Sequence, residues 1–457
     1  MTSSLTRSLT EVLSKPVEHA TRERAALHVI DWIGCAVIGA GQSAGKIFLK
    51  RAATQPSGSI TVIGSFGLAS PEEAAFLNGG LGSILEMDDV HRTAILHPGP
   101  VVIPAALAAA QASQTCGLKF LDAIVKGYDA DIRLGESVGD GHYAKWHNTS
   151  TCGPFGSAFA VGEVLGLTSD QRVWALGNAG TQASGPWRCR HEAVMTKQLH
   201  TARAAQSGYL AASLAADGFS GAEFILEGEQ GFYDAMCPNA KAHCLLSDKT
   251  GPWKIWETSF KPWPACRHAH PAIDAALVLK KNSNIENIRA IEVETFRDAK
   301  IFCDRQKPVT SHEAKFSIQH AVAVCLTEGL PTLEHFQLKS IKRPKIARLR
   351  DVISVKVSNH FNSAYPEHFG ASITIYTKGG IRETATIRDA LGDPENPLSS
   401  GKIIKKARNL MCTVGISDNL IERIVSETLA LPNASSLANF SSSLDMLRLQ
   451  LDKGTCP

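Results

Sequence analysis

A chain of 457 residues with 44% hydrophobic and 20% charged residues and 37 glycines has the composition of a globular, helix-rich protein, long enough for two domains. Its net charge of +3, with no acidic or basic tail and no lysine/arginine cluster interleaved with aromatics, argues against nucleic acid as a partner and against long disorder. The longest apolar stretch, residues 25–41, contains Asp31 and is read as too short to span a bilayer; with no basic-then-apolar leader, the expectation is a cytoplasmic protein with no membrane partner.

In the first half, helix follows helix. Ser70-Pro71-Glu72-Glu73 offers an N-cap serine, a proline at the first helical position and a glutamate that completes a capping box, so a helix through Ala74-Ala75-Phe76-Leu77 is predicted. Thr168-Ser169-Asp170-Gln171 repeats the form ahead of Val173-Trp174-Ala175-Leu176, and Thr201 to Ala216 carries alanine and leucine at helical spacing. Beyond about residue 255 the period changes. Ile291, Val293 and Thr295 alternate with charged neighbours, Ile353, Val355 and Val357 with polar ones, and Ser372 to Ile387 reads as a hairpin around Lys378-Gly379-Gly380. The breaker-rich Gly392-Asp393-Pro394-Glu395-Asn396-Pro397 closes this α+β unit, after which Lys402 to Met411 and Asp418 to Leu431 are helical again. No internal repeat is evident. The expected architecture is a mostly α large domain, residues 1–254 and 398–457, with a smaller α+β domain, residues 255–397, inserted into it.

Eleven cysteines stand singly, with no C-x-x-C pair, so they match neither a zinc frame nor iron–sulfur ligation, and reduced thiols are expected. Four segments concentrate ionisable groups beside glycine and proline. Glu86-Met87-Asp88-Asp89-Val90-His91, running on to His97-Pro98-Gly99-Pro100, supplies carboxylates and histidines that could cap a helix or ligate a metal; spacing alone favours capping, because no i,i+4 histidine pair is present. His142-Tyr143-Ala144-Lys145-Trp146-His147 precedes the helix start Gly153-Pro154-Phe155-Gly156, where a histidine serves as an acid/base or as a packing residue. Lys197, in Thr196-Lys197-Gln198-Leu199-His200, stands at a helix N-terminus, which disfavours a cation unless an anion compensates; a solvated surface lysine is the competing reading. In Lys261-Pro262-Trp263-Pro264-Ala265-Cys266-Arg267-His268-Ala269-His270, Arg267 can grip a carboxylate with two hydrogen bonds, or the run is a plain proline hinge. His320 begins a further helix.

Taken in order along the chain, these segments resemble the MmgE/PrpD family, whose members include 2-methylcitrate dehydratase, cis-aconitate decarboxylase and iminodisuccinate epimerase. The resemblance rests on Met87-Asp88-Asp89 with His97-Pro98-Gly99, His147 ahead of Gly153-Pro154-Phe155-Gly156, residues 196–200, residues 261–267 and residues 392–397. It implies a homodimer in which the smaller domain is a lid, with the active site between the domains and neither metal nor cofactor. His97, His147 and Lys197 match the family's active-site histidines and lysine, and Lys261 another pocket lysine. Four positions depart from the decarboxylase members: Glu86 replaces an aspartate, Val90 a threonine, Cys266 a lid histidine and His320 a tyrosine, and the loop from Val90 to His97 is one residue longer.

The shared chemistry of such enzymes is to make and quench negative charge on a carbon next to a carboxylate. It calls for an acid, a base and preorganised cations. The residues expected to do this are His97 and His147 as the acid/base pair, Lys197 as stabiliser of the carbanion and His320 as a third proton carrier. Glu86, Asp88, Asp89, Tyr143, Lys261, Arg267 and His268 would bind the di- or tricarboxylate substrate, with Asp89 orienting a histidine or capping a helix. Dehydration of a 2-methylcitrate-like hydroxy acid is the leading expectation. Epimerisation of a substituted succinate, decarboxylation of cis-aconitate, a non-catalytic paralogue, and a metallohydrolase built on Asp88, Asp89, His91 and His97 are the alternatives.

Overall fold

The computed structural model describes residues 4–54, 58–65, 67–192, 194–280 and 285–453, and the chain divides into two compact units. The first comprises residues 1–84, 88–258 and 399–457, the second residues 85–87 and 259–398. The first is helical. Its centre is Gly153–Leu165, every residue of which from Gly153 to Gly162 is buried, because Gly117–Ser137, Gly99–Ala112, Thr196–Ala216 and Ser169–Gly180 all pack around it. A helix buried on all sides has no polar face, which explains its continuous run of small and apolar residues.

The capping signals have local consequences. Thr168 and Gln171 form the reciprocal capping box. Ser70 accepts from Glu73 N, but the Glu73 carboxylate turns to Arg51, 2.8 Å away, so the second half of the expected box gives way to an ion pair. The alanine-rich helix begins at Thr196, earlier than its periodicity suggests, and thereby includes Lys197 and His200.

The apolar stretch around Asp31 belongs to a longer helix, His19–Gly41, whose 23 residues reach the length and hydropathy of a membrane span. It is the core helix of this unit instead, with 89% of its apolar window buried and Ser400–Thr413 packed along it. Asp31 is neutralised there by Lys406, whose Nζ lies 2.8 Å from Oδ1.

The second unit carries a four-stranded sheet in the order Ile353–Val357, Ile288–Thr295, Ala371–Thr377, Arg382–Ile387. The first pair is parallel and the others antiparallel. In register, Ile291 and Val293 stand beside Ile353 and Val355 on one side and Ile375 and Ile373 on the other, so the alternating residues form continuous apolar rows. His270–Lys280 covers the antiparallel pair, and Ile318–Thr327 packs on that helix in turn. The hairpin turns at Gly380, whose φ of 82° only glycine adopts cheaply.

Candidate active site

The first unit gathers the signature loop and the histidine segments. Asp89 is buried and both its oxygens are used: Oδ2 lies 2.6 Å from His28 Nδ1 and 2.7 Å from Tyr128 Oη, while Oδ1 accepts the backbone N–H of Gly99 at 2.9 Å. Asp89 therefore orients a histidine and caps the helix Gly99–Ala112 at once. Gly99 is required by this approach, since a Cβ there would sit 2.5 Å from Asp89 Oδ1. Burial holds the His28 imidazole down at about 4, against the pull of Asp89, so the ring is neutral.

Asp88 turns the other way. Its Oδ2 is 2.9 Å from Nδ1 of His97, and the carbonyl oxygen of Asp89 is 2.8 Å from the same nitrogen. The Asp89 carbonyl can only accept, so Nδ1 carries the proton and Nε2 of neutral His97 keeps its lone pair, with the Asp88 carboxylate in ion-pair contact beside Nδ1. The peptide N–H of His97 donates to Thr149 Oγ1 at 3.1 Å, joining this loop to the turn that carries His147.

His147 stands at the N-cap of the short helix Asn148–Thr151, its own N–H bonded to Gly185 O at 3.0 Å. Its ring stacks on Trp187 with centroids 4.1 Å apart, and its Nδ1 meets Nδ1 of His200 at 3.1 Å. Tyr143 contacts the far side of this cluster, edge-on to Trp187 at 6.2 Å. Burial lowers the His147 imidazole well below its ordinary range, and His200, Lys197 and His97 lower it further. His200 is lowered to about 4 by burial and then by Lys197, one turn before it on the same helix. His97, His147, Lys197 and Tyr143 are thus brought together, with His200 and Trp187 added. His200 lay in the quoted motif, three residues after Lys197, and the helical repeat was the signal that could have found it.

In the second unit, Lys261 is buried with its Nζ 3.4 Å from the carbonyl oxygen and 3.7 Å from Oε2 of Glu86. Glu86 itself has φ 58°, the left-handed region that a glutamate adopts at a cost of about 1–3 kcal/mol. Cys266 Sγ lies 3.3 Å from His268 Nδ1. A hydrogen bond from the Cys303 thiol holds the Cys266 thiol well below its usual range, against the effect of burial, and His268 assists.

Three expectations are corrected here. Arg267 does not present a free fork for a substrate carboxylate: Nη2 is bound to Asp393 at 2.5 Å and to Ala390 O, Nη1 to Leu391 O and to His270. His268 is packed among Phe296, Phe302 and Phe369 at centroid distances of 5.5, 5.0 and 5.2 Å, so its ring is a packing residue of an aromatic cluster. His320 has both ring nitrogens engaged, Nε2 donating to His335 O at 2.8 Å and Nδ1 accepting from Arg350 at 3.4 Å, so neither is open to carry a substrate proton.

The metal-ligand set Asp88, Asp89, His91 and His97 is not assembled either. His91 clusters instead with Glu136 and Glu257. Its Nδ1 accepts the Ala94 N–H at 3.3 Å, which leaves the proton on Nε2, facing Glu257 at 3.5 Å. The Lys254 ammonium already lies 3.3 Å from Glu136 and 3.2 Å from Glu257. Burial alone would raise Glu257, but His91 and Lys254 outweigh it and hold the carboxyl at about 2.

Comparison with known proteins gives this geometry a context. The MmgE/PrpD N-terminal domain model matches residues 3–245 and the MmgE/PrpD C-terminal domain model residues 263–431. A cis-aconitate decarboxylase-like protein, oryM of Aspergillus oryzae, is 26% identical over 96% of this chain and 96% of its own length. The cis-aconitate decarboxylase of Aspergillus terreus is 26% identical over 86% of this chain and 85% of its own. The human cis-aconitate decarboxylase is 30% identical over 74% of this chain and 72% of its own.

Proposed function

From the premise that this chain belongs to the MmgE/PrpD family, we propose that it is a lyase that moves a proton at a carbon next to a carboxylate of a small di- or tricarboxylic acid, without metal or cofactor. The observation that carries the reading is the His97–Asp88 pair: a partly exposed imidazole whose Nδ1 donates to the Asp89 carbonyl beside the Asp88 carboxylate, leaving the Nε2 lone pair available. The Asp88 carboxylate stabilises the imidazolium that forms when Nε2 takes a proton from carbon, as a buried carboxylate does for other catalytic histidines. Lys197 supplies positive charge near His147 and His200, so negative charge developing on a substrate there meets a preorganised cation rather than water. His147 serves as the second proton-transfer group.

Two finer readings follow. Decarboxylation of cis-aconitate, in which carbon dioxide leaves and the carbon is reprotonated, is supported by the names of the relatives. Dehydration of a 2-methylcitrate-like hydroxy acid is supported by the departures at Glu86, Val90, Cys266 and His320 from the pattern of the decarboxylases. The active form in this reading is a homodimer. The test is proton NMR in D2O with purified protein given cis-aconitate, 2-methylcitrate, citrate and iminodisuccinate in turn. Deuterium at a carbon next to a carboxylate, with loss of carbon dioxide or appearance of an alkene, supports the reading and selects the branch; no exchange on any of the four, from folded protein, overturns it.

A further inference from the structure

The contact between His147 and His200 is unusual in joining the same nitrogen of two rings. With Nδ1 to Nδ1 at 3.1 Å, one ring must donate and the other accept, so a single proton serves both. Both residues are buried, and the His147 ring is held against Trp187 at an interplanar angle of 22°, so it is not free to turn away. The Nε2 atoms hold no hydrogen bond among the described residues, which leaves each ring a second nitrogen open to proton exchange. Gly185 fixes the pair from the side: its carbonyl accepts the His147 N–H, and at φ 124° its backbone lies against Ser150, where a Cβ would come within 2.5 Å of Oγ.

A positive ring is poorly tolerated at this place. Burial, the Lys197 ammonium on the helix of His200 and the neighbouring His97 all disfavour protonating His147. A single imidazole that accepts a proton must become a cation, and one that gives its only proton away must become an anion. Two rings sharing Nδ1 need do neither.

We propose that His147 and His200 form a two-ring proton relay, His147 exchanging a proton with the substrate at Nε2 and His200 exchanging one with solvent at Nε2. This rests on the reading that His147 transfers protons to or from substrate. In the delivering direction, the His147 Nε2–H bond breaks and its proton goes to carbon, the shared proton crosses from His200 Nδ1 to His147 Nδ1, and a solvent proton bonds to His200 Nε2. One proton enters and one leaves, and both rings end neutral with exchanged tautomers; in the emptied site a solvent proton then bonds to His147 Nε2, the shared proton returns to His200 Nδ1 and His200 Nε2 releases its own, so one solvent proton in net is consumed per turnover. His200 is thus a positioning and relay residue that acts through His147. A supply of one solvent proton per turnover is what a decarboxylation consumes, because the carbon that loses carbon dioxide must be reprotonated.

The test uses the full-length protein with cis-aconitate. In His200→Asn the amide can still hold the His147 ring but cannot pass a proton, so kcat is expected to fall about 10- to 100-fold with KM within about 3-fold. The multi-proton solvent deuterium effect of the parent is expected to collapse to a single-proton one, with added imidazole restoring part of the rate. Parent-like kcat and isotope effect in His200→Asn, alongside an inactive His147→Gln, would overturn the relay while leaving His147 in its role; an active His147→Gln would remove the underlying reading itself. If His200→Asn does not fold, nitrogen NMR of the histidine-labelled parent decides the matter: the relay requires one protonated and one bare Nδ1 in the pair, and two protonated Nδ1 atoms contradict it.

Discussion

Nδ1 of His97 lies 2.9 Å from Oδ2 of Asp88, a carboxylate that is almost wholly buried. The contact places a carboxylate against the ring that is proposed to take the proton, so removing the charge while keeping the shape should act on rate more than on binding. Asp88→Asn is expected to lower kcat by about 10²- to 10⁴-fold with little change in KM. Steady-state kinetics on the substrate selected by the NMR panel checks this, and an equal rise in KM with unchanged kcat would place Asp88 in binding instead.

His147→Gln should also cost about 10²- to 10⁴-fold in rate, because glutamine offers a hydrogen bond but no exchangeable ring proton. Circular dichroism establishes that the variant is folded. A near-parental rate would take His147 out of proton transfer.

Lys406→Met tests the ion pair that lets a charged group sit in the core helix His19–Gly41. Asp31 would lose the ammonium 2.8 Å from it, and leaving a buried charge unpaired costs roughly 3–5 kcal/mol. A large fall in the urea midpoint is expected, partly reversed by Asp31→Asn in the same chain; a midpoint unchanged by Lys406→Met would mean that the pair contributes nothing.

Asp131 has a carboxyl with no hydrogen-bond partner on either oxygen, and burial pushes it well above its ordinary value of 3.8, with Asp89 adding to the effect. A carboxyl raised in the folded state contributes stability that is present below the unfolded value and is lost as pH rises towards the folded one. Asparagine does not titrate. The stability of Asp131→Asn relative to the parent is therefore expected to improve steadily as pH rises from 4 upward, measured by urea unfolding at several pH values. A difference that stays constant would show that Asp131 does not titrate as its burial implies.

Arg267→Met separates scaffold from substrate grip. Asp393 accepts from both Arg267 and Ser259, the latter at 2.6 Å. Loss of the guanidinium should destabilise the second unit by roughly 3–5 kcal/mol, seen as an early unfolding transition. A stable variant with raised KM alone would return Arg267 to substrate binding.

Much of the fold was legible because it depends on local rules. The alternation of Ile291, Val293 and Thr295, the Thr168–Gln171 box and the turn at Gly380 are each decided within a few residues. The parallel pairing of Ile288–Thr295 with Ile353–Val357 was not, because a long crossover separates the strands and leaves no short-range mark. The site divides the same way. Asp88, Asp89 and His97 were legible as a motif, and Gly99 explains physically why glycine ends it. Their long-range partners were not: His28 reaches Asp89 across 61 residues and Lys406 reaches Asp31 across 375. The partners of Arg267, His268 and His320 were not legible for a common reason, since a polar residue type signals capacity for chemistry while its packing decides how that capacity is used.

The most direct measurement is the D2O exchange assay on cis-aconitate and 2-methylcitrate, run in parallel with the parent and with folded His97→Gln. If the His97–Asp88 pair moves the proton, the parent incorporates deuterium at a carbon next to a carboxylate and the variant does so about 10²- to 10⁴-fold more slowly. Equal incorporation by both proteins, or none by a folded parent on either acid, would contradict the account.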